Sequence, residues 1–302
     1  MDFDSAQMRK MSAPPADFLL GIEARLHSAP WQPLTAWSIL AAGLAVGILT
    51  GHAKSTLGLG AWPTLLLCGL LADGLWGGIW RGLTGLPPVR SPGRDGFSAQ
   101  VAGQWMPYLQ PGSPAARLLD GDQADSFVQS LRTALPTILA AFVLAGVLGP
   151  AAVILTGVFI LLASLAWLTS HHQTLPALPF SITATVLLPW ALVLLTLNGN
   201  GAESGLDSRV WLLALLWTLH LWGVSRQGSN SPDRLGLGLM ALATLGMAGL
   251  LIQAETPMGL AVLAALWLPA WLWTVQGSHP QRVSLLWTIS MLVSAFALGS
   301  GL

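Results

Sequence analysis

Nine apolar runs, at roughly 33–51, 61–82, 135–149, 151–169, 175–197, 210–224, 235–253, 257–275 and 283–301, decide what this chain can become. Most approach the ~20 residues that an α-helix needs to cross a hydrocarbon core. The third and sixth are shorter, at about 15 residues, and gain reach from Arg132 and Arg209, whose long stems snorkel to the interface. Lipid offers the backbone no hydrogen-bond partners, so runs of this length satisfy their N–H and C=O groups internally, as helices. Composition agrees, with 53% of the 302 residues hydrophobic and 9% charged, where a soluble domain carries about 25%. The expected fold is all-α: a polytopic integral membrane bundle of about nine transmembrane helices.

Charge placement orients such a bundle. If the N-terminus is cytoplasmic, eleven of the thirteen Lys and Arg residues fall on inner segments and only Lys54 and Arg209 fall outside. Basic residues favour the cytoplasmic side, which predicts an N-terminus inside, a C-terminus outside and residence in a bacterial cytoplasmic membrane. A re-entrant hairpin formed by spans three and four would lower the count to seven without disturbing this balance. Thirteen acidic residues cancel the thirteen basic ones, so no nucleic-acid footprint is present. Cys68 stands alone, which excludes an internal disulfide and argues against a cysteine-based metal site.

Two domains of unequal kind are expected. Residues 1–32 form a cytoplasmic segment, polar over Met1–Pro15 and without a cleavable signal, with an interfacial helix over 16–28 where apolar and charged groups take opposite faces. Residues 33–302 form the membrane domain. Its long cytoplasmic loop, 84–133, holds Pro/Gly turns and the acidic stretch Asp120–Asp125, and reads as a lid, a docking surface or an ordinary solvated loop.

Glycines recur every four residues at Gly43, Gly47 and Gly51, and again at Gly74, Gly78 and Gly82, a spacing that lets helices approach closely. Pro189 and Pro269 lie mid-span and predict kinks. Trp31, Trp62, Trp167, Trp211, Trp222 and Trp287 sit near span ends and read as interfacial anchors. Trp76 and Trp80 are deeper.

The residue least at home in this pattern is Asp73, inside the apolar run from Ala61 to Leu83. A carboxylate at the centre of a membrane helix costs roughly 3 kcal/mol on insertion scales and by default marks a functional position. The alternative is a neutral acid, or a pair with Arg81 two turns on. Around it the sequence groups Asp73 and Arg81 at the end of span two with His220, Arg226, Asp233 and Arg234 at the end of span six and the loop after it. His220 reads as a hydrogen-bonded packing residue or as an axial ligand to a haem or chlorophyll. No paired-histidine metal motif, Walker loop or nucleophile elbow occurs.

Nine spans, an acid near the inner end of the second and another in the loop after the sixth resemble the UbiA-type membrane prenyltransferase superfamily. Its first signature, Asn-Asp-x-x-Asp-x-x-x-Asp, falls on Ala72, Asp73, Trp76 and Trp80 and keeps one of four positions. Its second, Asp-x-x-x-Asp, falls on Ser229 and Asp233 and keeps one of two, with Arg234-Leu-Gly continuing as the family often does. The stretch Leu212–Arg226 has the family's texture ahead of that motif. The resemblance covers most of residues 30–300, by topology and spacing more than by identity. Asp73, Gly77 and Arg81 also resemble part of the Asp-x-x-Asp-Gly-x-x-Ala-Arg signature of CDP-alcohol phosphotransferases, a weaker match because that family has about six spans and further acids on the next helix.

The resemblance implies a cavity in which Mg²⁺ ions hold a prenyl diphosphate between two acidic motifs. Asp73 and Asp233 would then be the catalytic and metal-binding acids, Arg81, Arg226 and Arg234 the head-group clamp, and Trp76 and Trp80 cavity walls. Two Mg²⁺ ions, each of which ordinarily takes one or two carboxylates alongside phosphate and water, would have to share two, with indoles at two former acid positions. The leading expectation is therefore a UbiA-like pseudoenzyme that binds an isoprenoid, quinone or tetrapyrrole-tail lipid, or serves as a subunit among other membrane proteins. An active Mg²⁺-dependent prenyltransferase acting on an aromatic or porphyrin acceptor is the first alternative, and a pigment- or haem-binding subunit the second.

Overall fold

A computed structural model describes residues 34–49, 57–84, 121–172, 178–197, 208–227, 233–276 and 280–301, with side chains placed for all of these except 121–133, 167–172, 178 and 280–282. The expected interfacial helix over 16–28 and most of the 84–133 loop lie outside the described residues. Those described form nine successive helical rods, with no strand among them. Five are long and apolar enough to cross a membrane, over Ala61–Leu83, Pro179–Leu197, Arg234–Gln253, Pro257–Val275 and Val283–Gly301.

Helix α1 (Leu34–Ala45) ends earlier than its apolar run, because Gly47 takes a φ of 79° and turns the chain. Helix α2 is composite: an α-helical start (Ala61–Gly69), a π-helical stretch (Leu70–Trp76) and an α-helical end (Gly77–Thr84). Helices α3 (Gly121–Leu148) and α4 (Pro150–His172) are joined by Gly149 alone. Its φ of 118° is open only to glycine at low cost, and Pro150 then starts the next helix at a position where its missing N–H loses nothing. Helix α3 begins well before the apolar run that announced it, so the last part of the expected loop is helical.

Helix α5 runs through Leu178–Ile182, a π-helical turn (Thr183–Leu187) and Leu188–Leu197. The π turn absorbs Pro189: the Leu188 N–H reaches back to the Thr183 carbonyl just where the ring would otherwise crowd the preceding turn. Helices α6 (Ser208–Ser225), α7 (Arg234–Gln253), α8 (Pro257–Val275) and α9 (Pro280–Gly301) complete the chain, and α8 stays α-helical through Pro269.

The packing has a clear plan. Helices α1 and α5 lie centrally, with α2, α3 and α4 gathered on one flank and α6 to α9 on the other. The central position of α5 explains why its hydrophobicity is unbroken around the helix, since Leu188–Leu194 are all buried. Close approaches are made by glycine. A Cβ on Gly43 would meet the Leu65 side chain 3.0 Å away, and one on Gly82 would meet Ala134 at 3.3 Å, so these two glycines serve the α1–α2 and α2–α3 seams. The closest backbone approach is at Gly299, where α9 meets the Leu44 carbonyl of α1, and Gly223 and Gly236 make a second tight crossing between α6 and α7.

Candidate functional site

Asp73 lies within the π-helical stretch of α2, where the widened turn departs from regular helical spacing. The residue is half-buried, and its Oδ1 is buried with no hydrogen-bond partner among the described residues, Arg81 included. One turn further on, Trp76 is fully enclosed. Its indole stacks on Phe159 of α4 at a centroid distance of 4.9 Å and donates from Nε1 to Thr156 Oγ1 at 3.2 Å. Thr156 passes its own proton to the Ala152 carbonyl at 2.8 Å, which leaves its oxygen free to accept. Trp80 leans on the same Phe159 at 6.0 Å and 58°. The two tryptophans that occupy acid positions of the resembled motif therefore fill the α2–α4 seam as an aromatic stack.

Asp233 does different work at a different place. It caps α7, its Oδ1 accepting from the Leu235 N–H at 3.1 Å, and its Oδ2 receives Arg226 Nε at 2.6 Å. Gln227 completes the turn by accepting from the Asp233 N–H at 3.1 Å and donating to the Asp233 carbonyl at 3.2 Å. The Arg226 hydrogen bond holds the Asp233 carboxyl below its usual range, against a smaller opposing effect of burial. Arg234 follows at the first position of α7 and is exposed.

The acids belong to different flanks of the bundle. The helix carrying Asp73 packs on α1, α3, α4 and α5, whereas the helix that Asp233 caps packs on α6, α8 and α9. Of the six residues grouped from the sequence, the structure brings together Arg226, Asp233 and Arg234, with His220 nearby on α6, and places Asp73 and Arg81 on the opposite flank. Among the described residues no group of three or more His, Cys, Asp or Glu is positioned to hold a metal ion. A hollow of about 190 Å³ is present at the other end of the bundle, lined by Leu57, Leu148, Gly149, Pro150, Ala151, Leu195 and Thr196. None of the residues singled out from the sequence lines it.

His220 is wholly enclosed. It meets Trp287 of α9 edge-on at 4.2 Å and Trp217 at 5.4 Å, and its Nδ1 faces Thr244 Oγ1 of α7 at 3.5 Å. With no exposed ring edge, axial ligation of a tetrapyrrole would require Trp287 or Thr244 to be displaced. Trp287 itself corrects an expectation. It is 1% exposed rather than interfacial, because α9 starts at Pro280 and carries it two turns into the bundle. The hydrogen bond from Trp217 Nε1 to Ser294 Oγ (2.8 Å) is a second element that sequence reading missed. Its only sequence signal is a tryptophan three residues before the histidine.

In comparisons with family models, curated proteins and solved structures, nothing matches this chain.

Proposed function

We propose that this protein is a non-catalytic, UbiA-like integral membrane protein that crosses a bacterial cytoplasmic membrane nine times, with its N-terminus inside and its C-terminus outside, and works as a lipid-embedded subunit of a larger membrane complex. One observation carries the non-catalytic reading. Asp73 and Asp233 sit on helices that do not pack together, and Asp233 is already engaged as a helix cap and ion-pair partner. A diphosphate flanked by two metal-bearing acids needs both carboxylates at one mouth.

The embedded role is supported by the bundle's outer faces. Leu66, Val143, Leu245, Leu268 and Met258 are each more than 60% exposed, and the α8 span is only 22% buried against the rest of the chain. Apolar surface of this extent is covered by lipid tails or by other membrane helices.

The experiment is reconstitution in vesicles with Mg²⁺, prenyl diphosphates and aromatic acceptors. No transfer is expected, from the wild type or from Asp73→Asn. Turnover that Asp73→Asn abolishes would overturn the reading. Orientation is checked on a Cys68→Ala background. A thiol placed by Glu255→Cys is expected to react from outside the cell and one placed by Gln276→Cys only from inside, and the reverse pattern would sink the proposed topology.

A further inference from the structure

The α6–α9 seam holds two polar contacts one turn apart, and only one is closed. At the first, Trp217 Nε1 donates directly to Ser294 Oγ at 2.8 Å. At the second, His220 stands three residues after Trp217, and Ser290 stands four residues before Ser294, so the two occupy the corresponding places one turn along. Imidazole is shorter than indole by one fused ring, and here the contact is not made. His220 Nε2, Ser290 Oγ and Trp287 Nε1 are all buried, and none has a hydrogen-bond partner among the described residues. The residues themselves are 0%, 0% and 1% exposed.

Their chemistry defines what fits between them. Thr244 gives its hydroxyl proton to the Met240 carbonyl at 2.7 Å, so its oxygen meets His220 Nδ1 as an acceptor. This contact favours the tautomer with the imidazole proton on Nδ1, which leaves Nε2 as a lone-pair acceptor. Trp287 Nε1–H is a donor only. Ser290 is unusual among neighbouring helical hydroxyls: Thr288 returns its proton to the Ser284 carbonyl and Ser294 to the Met291 carbonyl, while Ser290 makes no such bond. The site thus offers one strong acceptor, one fixed donor and one rotatable hydroxyl. An anion is refused by the Nε2 lone pair, and a cation by the indole N–H. A group that both donates and accepts satisfies all three.

We propose that His220, Trp287 and Ser290 form the binding site of a single hydroxylic guest, a buried water or an alcohol hydroxyl, that links α6 to α9. Leaving three buried polar atoms unmatched is costly, and a bridging hydroxyl removes that penalty for all of them at once.

The test is nitrogen NMR of the full chain, labelled at histidine, in lipid nanodiscs, with His220→Phe assigning the resonance. The expected result is an unprotonated Nε2 that receives polarisation from hydroxyl protons. Deuterated water erases the hydroxyl signal of either guest, and an added transfer from carbon-bound lipid protons, lost in perdeuterated lipid, marks the guest as a lipid alcohol rather than water. An Nε2 that carries its own proton, or one with no transfer from either source, overturns the proposal. A second measurement uses His220→Trp, in which an indole reaches Ser290 directly and displaces the guest. Its melting temperature is expected to exceed that of His220→Phe, which strands Ser290 and Trp287. Equal melting temperatures for the two variants would count against a site at this position.

Discussion

Arg226 Nε lies 2.6 Å from Asp233 Oδ2, and the same carboxylate starts the next helix by capping Leu235. One side chain thereby closes the α6–α7 hairpin by charge and by geometry. Because the Arg226 hydrogen bond holds the folded carboxyl below its unfolded value of about 3.9, its contribution is fully present above that pH and fades as pH falls through the folded value. Asp233→Asn keeps an acceptor for the cap and loses the charge, whereas Asp233→Ala loses both. The expected order of detergent-denaturation midpoints at pH 7 is wild type, then Asn, then Ala. The gap between wild type and Asn should narrow as pH falls below the unfolded carboxylate value, and added salt should shrink it at pH 7, since each partner is 30% exposed. A gap that stays constant with pH would show that the ion pair contributes nothing.

The placement of Asp73 and Asp233 on helices of different flanks shows where sequence reading stops. Apolar runs marked the rods well, and 235–253 and 257–275 coincide with α7 and α8 within a residue. That is a local property, dictated by the need of each segment to satisfy its backbone inside lipid. Which rods share a seam is not local. Span two and span six end on the same side of the expected bundle, yet α1 and α5 stand between them. Trp287 was misplaced for a related reason, since distance from the end of an apolar run measures depth only when the helix starts there, and α9 starts at Pro280. The π turns at Leu70–Trp76 and Thr183–Leu187 left only Pro189 as a trace in the sequence.

Gly223 sits where α6 and α7 nearly touch. A Cβ there would lie 2.6 Å from the Gly236 carbonyl oxygen and 3.0 Å from the Met240 nitrogen, both backbone atoms that cannot rotate away. Gly223→Ala must push the helices apart and is expected to cost about 3 kcal/mol, the upper end of the usual penalty for overpacking. Gly238→Ala, with nothing within 4 Å of its added carbon, is the control on the next helix and should be neutral or slightly stabilising. Comparable losses for both would mean that the crossing has room for a methyl group.

Trp76 tests whether the acid motif can be restored. Trp76→Phe removes the bond to Thr156, which keeps its own bond to Ala152, so a cost of about 1 kcal/mol is expected. Trp76→Ala empties the stack against Phe159 and should cost about 3–5 kcal/mol. Trp76→Asp adds an acid in the position that the resembled signature prescribes, but it buries that acid against an aromatic face. It is expected to be less stable than Trp76→Ala, with no rescue by Mg²⁺ in the same denaturation assay. A Mg²⁺-dependent rise in its midpoint would instead reveal a metal site beside Asp73.

Glu255 occupies a position that chemistry assigns to glycine. Helix α7 ends with the Thr256 N–H bonded to the Leu251 carbonyl at 3.1 Å and the Glu255 N–H bonded to the Ile252 carbonyl at 3.1 Å, the paired pattern of a Schellman motif. That pattern needs a left-handed residue between them, and Glu255 supplies it with a φ of 55°, a conformation in which its Cβ crowds the following carbonyl. The side chain is exposed, so no packing compensates. Glu255→Gly relieves the crowding, partly offset by the greater freedom of glycine in the unfolded chain, and should raise stability by up to about 1 kcal/mol. Glu255→Val, branched at the crowded carbon, should lower it by a similar amount or more. Measured together in one detergent series, the two changes must move the midpoint in opposite directions if the turn between α7 and α8 holds residue 255 in the left-handed region.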